Sequence, residues 1–328
     1  MPKTRKPKDI GASVRARLLA LAREKKQAFD LLLTRYAIER LLYRLSLSPY
    51  RDRFVLKGAM LMTTWFDDPH RPTRDVDFMA YGDAGPEPML ATFRAICEVV
   101  VEDGVTFDAR ALRVDSIRRD VAYGGLRLRA VALLAGARIA VTVDIGFGDA
   151  TEPGLEEIDV PVLLDLPRPR LRVYARETVI AEKFQAMVAL GLANTRLKDF
   201  YDIWLLSQSH RFDEDRLSRA IHATFERRGT VVPVDVPEAL TAALAEYPAK
   251  QAQWAAFIRD LGIEVPALGR VVADLAAFLM PHARRAVVKW SAPGPESAGR
   301  YSRTQHTAWP RDHFVVTAPA VVNGAVVA

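Results

Sequence analysis

The apolar residues Leu18, Leu19, Ala22, Phe29, Leu32, Leu33, Tyr36, Leu41, Leu42 and Leu45 recur at helical spacing, with Arg and Lys between them. That period predicts one or two amphipathic helices at the start of the fold. In "FVLKGAMLMTTWF" (54–66) three apolar residues of strand type reach Gly58, and helix formers follow through Trp65. The pattern predicts a short strand, a glycine turn and a helix start. A loop at residues 67 to 73, with two prolines, leads into "RDVDFMAY", which alternates as a strand does. Residues 86 to 103 return to a helical period. From 111 to 147 the stretches "LRVDSIRR", "GLRLRAVALL" and "ARIAVTVDIGF" read as strands, the last two joined in hairpin style by Ala135-Gly136. Further on, Ile180, Phe184, Met187 and Val188 form one helical stripe and Leu197, Phe200, Tyr201, Trp204 and Leu205 another. Residues 213 to 228 and 237 to 282 also have helical composition, with Pro233 and Pro237 marking a linker. From Ser291 the chain is rich in Gly, Pro and Ser, then small and apolar without a period, which predicts a poorly ordered tail.

Asp75 and Asp77 interrupt this pattern. Two residues apart on a strand, they project from one face, where their charges repel unless a cation or water lies between them. A divalent cation such as Mg²⁺, commonly held by one or two carboxylates with substrate phosphates completing its shell, would satisfy them. An arginine-paired, solvated strand end is the alternative. In "AVTVDIGFGD" a third carboxylate, Asp144, sits among apolar neighbours, where an unpaired charge is costly. If its strand lies beside the first, Asp75, Asp77 and Asp144 converge; three such carboxylates can hold two metal ions about 4 Å apart for phosphoryl or nucleotidyl transfer. Asp144 equally suits a strand end that caps the turn at Gly146 and Gly148. Gly58, between strand and helix, permits close backbone approach to an anion, and a triphosphate is the natural guest.

Composition narrows the setting. The chain has 328 residues, half of them apolar, enough for a substantial core, so wholesale disorder is excluded. Cys97 is the only cysteine, which excludes an internal disulfide framework and a cysteine-based zinc site. No signal-type apolar segment and no run of about twenty apolar residues occurs. A cytoplasmic protein without a membrane span is expected. The net charge of +6 favours polyanionic partners such as nucleic acid or nucleotides. The basic N-terminal region, with Lys25, Lys26, Arg35 and Arg40, suits either the guidance of an RNA acceptor or a solvated helix face.

In this order of strand, Gly58, helix, "RPTRDVDF", hairpin and "VTVDIGFGD", the chain resembles the nucleotidyltransferase superfamily built on the DNA-polymerase-β type core. Within it, "ERLLYRLSLSPYRDRFVLKGAMLMTTWF", "RPTRDVDFMAYG", "DIGFGD" and "ETVIAEKFQAMVALGLANTRLKDFYDIWLL" resemble the AbiEii/AbiGii toxin family. The resemblance implies an α+β fold: a nucleotidyltransferase core of mixed β-sheet flanked by helices, with a mainly helical C-terminal domain. Boundaries follow as basic helices at 1–52, core at 53–170, helical domain at 171–290 and tail at 291–328. It further implies the toxin of a type IV toxin–antitoxin or abortive-infection system that uses a nucleoside triphosphate and Mg²⁺ or Mn²⁺, modifies an RNA acceptor such as the tRNA 3′ end, and meets a cognate antitoxin.

Carried over by residue, the resemblance makes Asp75, Asp77 and Asp144 metal ligands and places Lys57, Gly58 and Ala59 at the phosphate turn. It assigns Lys183 to the triphosphate, though read alone Lys183 is equally a surface lysine paired with Glu182. Asp199 or Asp202, more naturally Asp199, would orient Lys183 or act as a base, while Lys198 and Asp202 can pair across one helical turn. Arg74 and Arg196 are further phosphate contacts. Two departures stand out: Ala59 replaces the usual serine, and the gap from Gly58 to Asp75 is long. His306 and His313, in the tail, receive no metal role. Two other readings stay open: the same enzyme acting on a small molecule or protein, and a non-catalytic nucleotide- or nucleic-acid-binding protein of this fold.

Overall fold

In the computed structural model, residues 9–66, 73–117, 124–261 and 264–290 are described. The loop expected at 67–73, apart from Thr73, and the whole expected tail with His306 and His313 lie outside them. The chain opens with two helices, α1 (Ile10–Glu24) and α2 (Phe29–Leu47). Asp9 caps α1 by accepting a hydrogen bond of 2.9 Å from the amide of Ala12. Then follow β1 (Phe54–Lys57), a 3₁₀ turn at Gly58–Leu61, the single-turn α3 (Met62–Trp65), β2 (Asp75–Ala80) and α4 (Pro86–Cys97). Strands β3 (Thr106–Phe107), β4 (Arg113–Ile117), β5 (Gly125–Leu134), β6 (Ala137–Phe147), β7 (Leu155–Asp159) and β8 (Arg170–Tyr174) complete the sheet. The rest is helical: α5 (Arg176–Leu190), α6 (Leu197–Ser209), α7 (Glu214–Arg227), α8 (Ala242–Ala245), α9 (Pro248–Leu261) and α10 (Leu268–Trp290). Among the described residues no helix is long and apolar enough to cross a membrane.

The strands form one mixed sheet in the order β3-β5-β6-β2-β1-β8-β7, with β4 also pairing β5. Pairs β2–β6 and β1–β8 are parallel and the others antiparallel. All four residues of the central strand β1 are buried, as expected of a strand covered on both faces. Between β5 and β6, Ala135 and Gly136 both have positive φ (44° and 80°), which matches the right-handed twist of a two-residue hairpin. One apolar cluster joins α1, α2 and α4 to the sheet; a second joins α5, α6, α7 and α10, and Trp65 packs against both.

Three expectations need correction. The helix read at 86–103 stops at Cys97, because Asp103 is required in a turn, where it binds the buried Arg44 through contacts of 2.7 and 3.2 Å. Strands β7 and β8, each five residues long, lie beyond the strands read at 111–147. The segment after Gly58 is a 3₁₀ turn and one α-helical turn rather than a regular helix, so little dipole is available there for an anion. What remains at Gly58 is close backbone approach.

Candidate functional site

Sheet register places five charged residues in a single row. Lys57 on β1 lies opposite Asp77 on β2, Asp77 opposite Asp144 on β6, Asp144 opposite Arg127 on β5, and Arg127 opposite Asp115 on β4. Directly opposed residues share a face, so the two central aspartates confront each other across the parallel pair. Arg127 answers this like-charge pairing. Its Nε and Nη2 donate to the two oxygens of Asp144 at 2.7 and 2.8 Å, a bidentate pair. Hydrogen bonding and charge from Asp144, supplemented by Asp75 and Asp77, raise the pKa of the guanidinium above its ordinary value. Asp144 is thus an arginine-bound carboxylate.

Asp75 opens β2 in an exposed position, opposite Thr142, and Asp77 is half-buried. Against Asp77 packs Gly58, at φ +72°; a Cβ there would lie 2.7 Å from Cγ of Asp77 and closer still to Oδ2. Glycine is required twice over at this point, by the left-handed backbone and by the carboxylate against it. Ala59 follows within the same turn. Arg74 is exposed and donates to Asp30 of α2 at 3.1 Å.

Lys57, expected at the phosphate turn, sits in an ionic network. Its side chain is buried, and Nζ lies 2.5 Å from Asp149 and 3.1 Å from Glu182. Arg228 joins the same acids, 2.8 Å from Glu182 and 3.5 Å from Asp149. A buried ammonium needs such partners, and here both carboxylates are supplied by segments distant in sequence. The network ties the Gly58 turn to α5.

A second charged cluster joins α5 to α6. Lys183 is buried, with Nζ 2.6 Å from Asp199 and 2.8 Å from Asp202, and Arg196 reaches Asp199 at 2.7 Å. Asp199 and Asp202 are thus both partners of Lys183. Glu182 faces Lys57, so consecutive residues of α5 serve the two clusters. Asp75, Asp77, Asp144 and Gly58 stand together in the first; Lys183, Asp199 and Asp202 form the second.

Arg40, expected on a basic guiding surface, is fully buried, its guanidinium near the rings of Tyr36 and Tyr43 and donating to the carbonyl of Pro167. Sequence reasoning missed Arg127, Asp149 and Arg228. Arg127 was accessible to it: a two-residue turn at Ala135-Gly136 forces residue 127 opposite residue 144.

No three His, Cys, Asp or Glu side chains among the described residues stand together as a metal site. Asp144 gives one acceptor site of each oxygen to Arg127. Asp75 and Asp77, two positions apart on one face of β2, fit a Mg²⁺ ion whose shell substrate phosphates complete.

The family model described as "Nucleotidyl transferase AbiEii toxin, Type IV TA system" matches residues 40–287, which span both charged clusters. The chain belongs to this family. AbiEii membership associates it with toxin nucleotidyl transferases that act on nucleotide substrates beside an antitoxin partner. Among solved structures, JHP933 from Helicobacter pylori is 14% identical, with 80% of this chain and 96% of that one covered and a TM-score of 0.47. A second H. pylori structure, a candidate nucleotidyltransferase, is also 14% identical, covering 80% of this chain and 97% of its own, with a TM-score of 0.42. No curated protein matches the sequence.

Proposed function

We propose that the chain is a toxin that transfers a nucleoside monophosphate from a nucleoside triphosphate to an acceptor hydroxyl at the 3′ end of tRNA, and that a cognate antitoxin restrains it in the cytoplasm. One observation carries this reading: the glycine turn and the acidic strand are packed so closely that no side chain fits between Gly58 and the Asp77 carboxylate. A phosphate chain laid along the turn meets bare backbone beside paired acids. Asp75 and Asp77 would hold Mg²⁺, which when bound supplies neutralising charge to the triphosphate. The acceptor hydroxyl attacks the α-phosphorus as its proton passes to water, the bond from the α-phosphorus to the oxygen bridging to the β-phosphate breaks, and pyrophosphate leaves.

Arg127 sets the charge of the site by holding Asp144. Asp199 and Asp202 anchor Lys183 as the cation assigned to the β- and γ-phosphates; this favours a positioning role for Asp199, since an acid committed to Lys183 and Arg196 is poorly placed to accept a proton. The test is incubation of the purified chain with Mg²⁺, each α-³²P-labelled nucleoside triphosphate and tRNA, with Asp77→Ala alongside. Label in tRNA from the wild type only is the expected result and names the nucleotide. Equal label from both proteins, or label reaching only protein or small molecules, overturns the reading.

A further inference from the structure

The segment from Gly58 to Trp65 has a second end, and a separate cavity of about 340 Å³ opens there, between α1, α2, α3 and the connection that enters β8. Lys25, Arg35 and Arg168 line it together with Thr63, Thr64 and Trp65, and among the described residues no carboxylate does. Lys25 and Arg168 are exposed and Arg35 carries its own counter-ion, so the lining is net positive. Arg35 is set in place from behind. Its Nε donates to the buried Glu39 at 3.0 Å, and the other oxygen of Glu39 accepts from the amide of Leu163 at 2.9 Å. The wall also carries a large aromatic ring, Trp65, over which the Arg176 guanidinium lies 5.5 Å from the centroid. Cations grouped around a cavity with an aromatic side chain in its wall are the combination that binds a nucleotide, its phosphate among the cations. The volume sits at the low end of the range of about 300 to 1,000 Å³ for ligand pockets, which suits one nucleotide unit and excludes a folded partner.

We propose that this cavity binds one phosphate-bearing nucleotide unit of a single-stranded RNA, apart from the Gly58 and Asp77 site. The inference rests on the reading of RNA as acceptor and adds the place where that strand is gripped. A free mononucleotide offers the same chemistry, so both are probes: a fluorescent single-stranded RNA oligonucleotide followed by anisotropy across a salt series, and AMP followed by calorimetry. The variant Lys25→Ala/Arg168→Ala removes two exposed cations without disturbing the core. Arg219→Ala/Arg259→Ala, on the exposed sides of α7 and α9, is its equal-charge control.

The expected result is a loss of RNA affinity of about tenfold or more at low salt in the pocket variant alone, with the slope of log affinity against log salt reduced by about 1.4, two contacts at about 0.7 each. The same loss for AMP in place of RNA assigns the pocket to free nucleotide and keeps its chemistry. Unchanged binding of both probes, or an equal loss in the control, overturns the site. A wild-type chain that binds RNA through this pocket yet transfers nothing would remove the proposed reaction and leave the pocket standing.

Discussion

Gly58 concentrates two constraints on one backbone position, a positive φ and a carboxylate where its Cβ would be. Gly58→Ala is expected to abolish nucleotidyl transfer and to cost more than about 1 kcal/mol of stability, since the left-handed backbone is strained for alanine before Asp77 is displaced. Chemical denaturation beside the transfer assay measures both; a variant that is stable and active would show that the turn tolerates a side chain. Arg127 is the other decisive residue. Arg127→Ala leaves Asp77 and Asp144 opposed without their counter-charge, and facing carboxylates raise one another's pKa. The acid limb of the pH–rate profile should therefore move to higher pH in Arg127→Ala and stay near the wild-type position in Arg127→Lys. An unmoved limb in both would place this charge outside the reaction. The D-x-D pair was legible in sequence because two-residue spacing alone puts Asp75 and Asp77 on one face. The arginine that accompanies them was legible only through the hairpin register.

Helices α5 and α6 are held together by apolar packing and by Lys183, whose ammonium answers two buried acids. Lys183→Met takes the lysine from the buried Asp202 and leaves Asp199 to Arg196. A loss of about 3 to 5 kcal/mol is expected, the cost of an uncompensated buried charge. Urea denaturation measures it, and adding Asp199→Asn and Asp202→Asn to Lys183→Met should restore part of the loss by removing the buried charges. If the triple variant is no more stable than Lys183→Met, the damage lies in packing and not in charge. The helical stripes of α5 and α6 were readable from periodicity, and so was the position of Lys183 at the stripe's border. Which acid answers it was not, because three acids lay within reach of a flexible side chain and only the angle between the helices separates them.

Across the whole molecule, Lys57, Asp149, Glu182 and Arg228 bind the sheet to the helical half. Burial by itself would raise the Asp149 carboxyl, but Lys57 and Arg228 outweigh it and hold its pKa below the ordinary value. Burial likewise lowers Lys57, and Glu182 and Asp149 outweigh it and hold its pKa above the ordinary value. The Asp149 contribution is complete above the unfolded carboxylate value of about 3.9 and is lost as pH falls through the lower folded value. That of Lys57 is complete below about 10.4 and is lost as pH rises through the higher folded value. Asp149→Asn should therefore lower stability by a constant amount between about pH 5 and 9, with the difference from wild type shrinking below about pH 4. Denaturant midpoints across pH check this; a difference that stays constant into strong acid would show that the Asp149 charge contributes nothing.

Sequence alone determined the features set by local geometry: the acidic strand, the glycine between strand and helix, the β5–β6 hairpin and the apolar stripes of the helices. Each follows from backbone period or turn chemistry acting within a few residues. Tertiary structure decided the rest. Only the parallel pairing of β2 with β6 brings Asp77 opposite Asp144, across 67 positions of chain. Only packing buries Arg40, takes Lys57 from solvent into an ionic network and turns Lys183 toward α6. The physical reason is common to these cases: a charge removed from water must find a partner, and the partner belongs to whichever distant segment the fold lays alongside it.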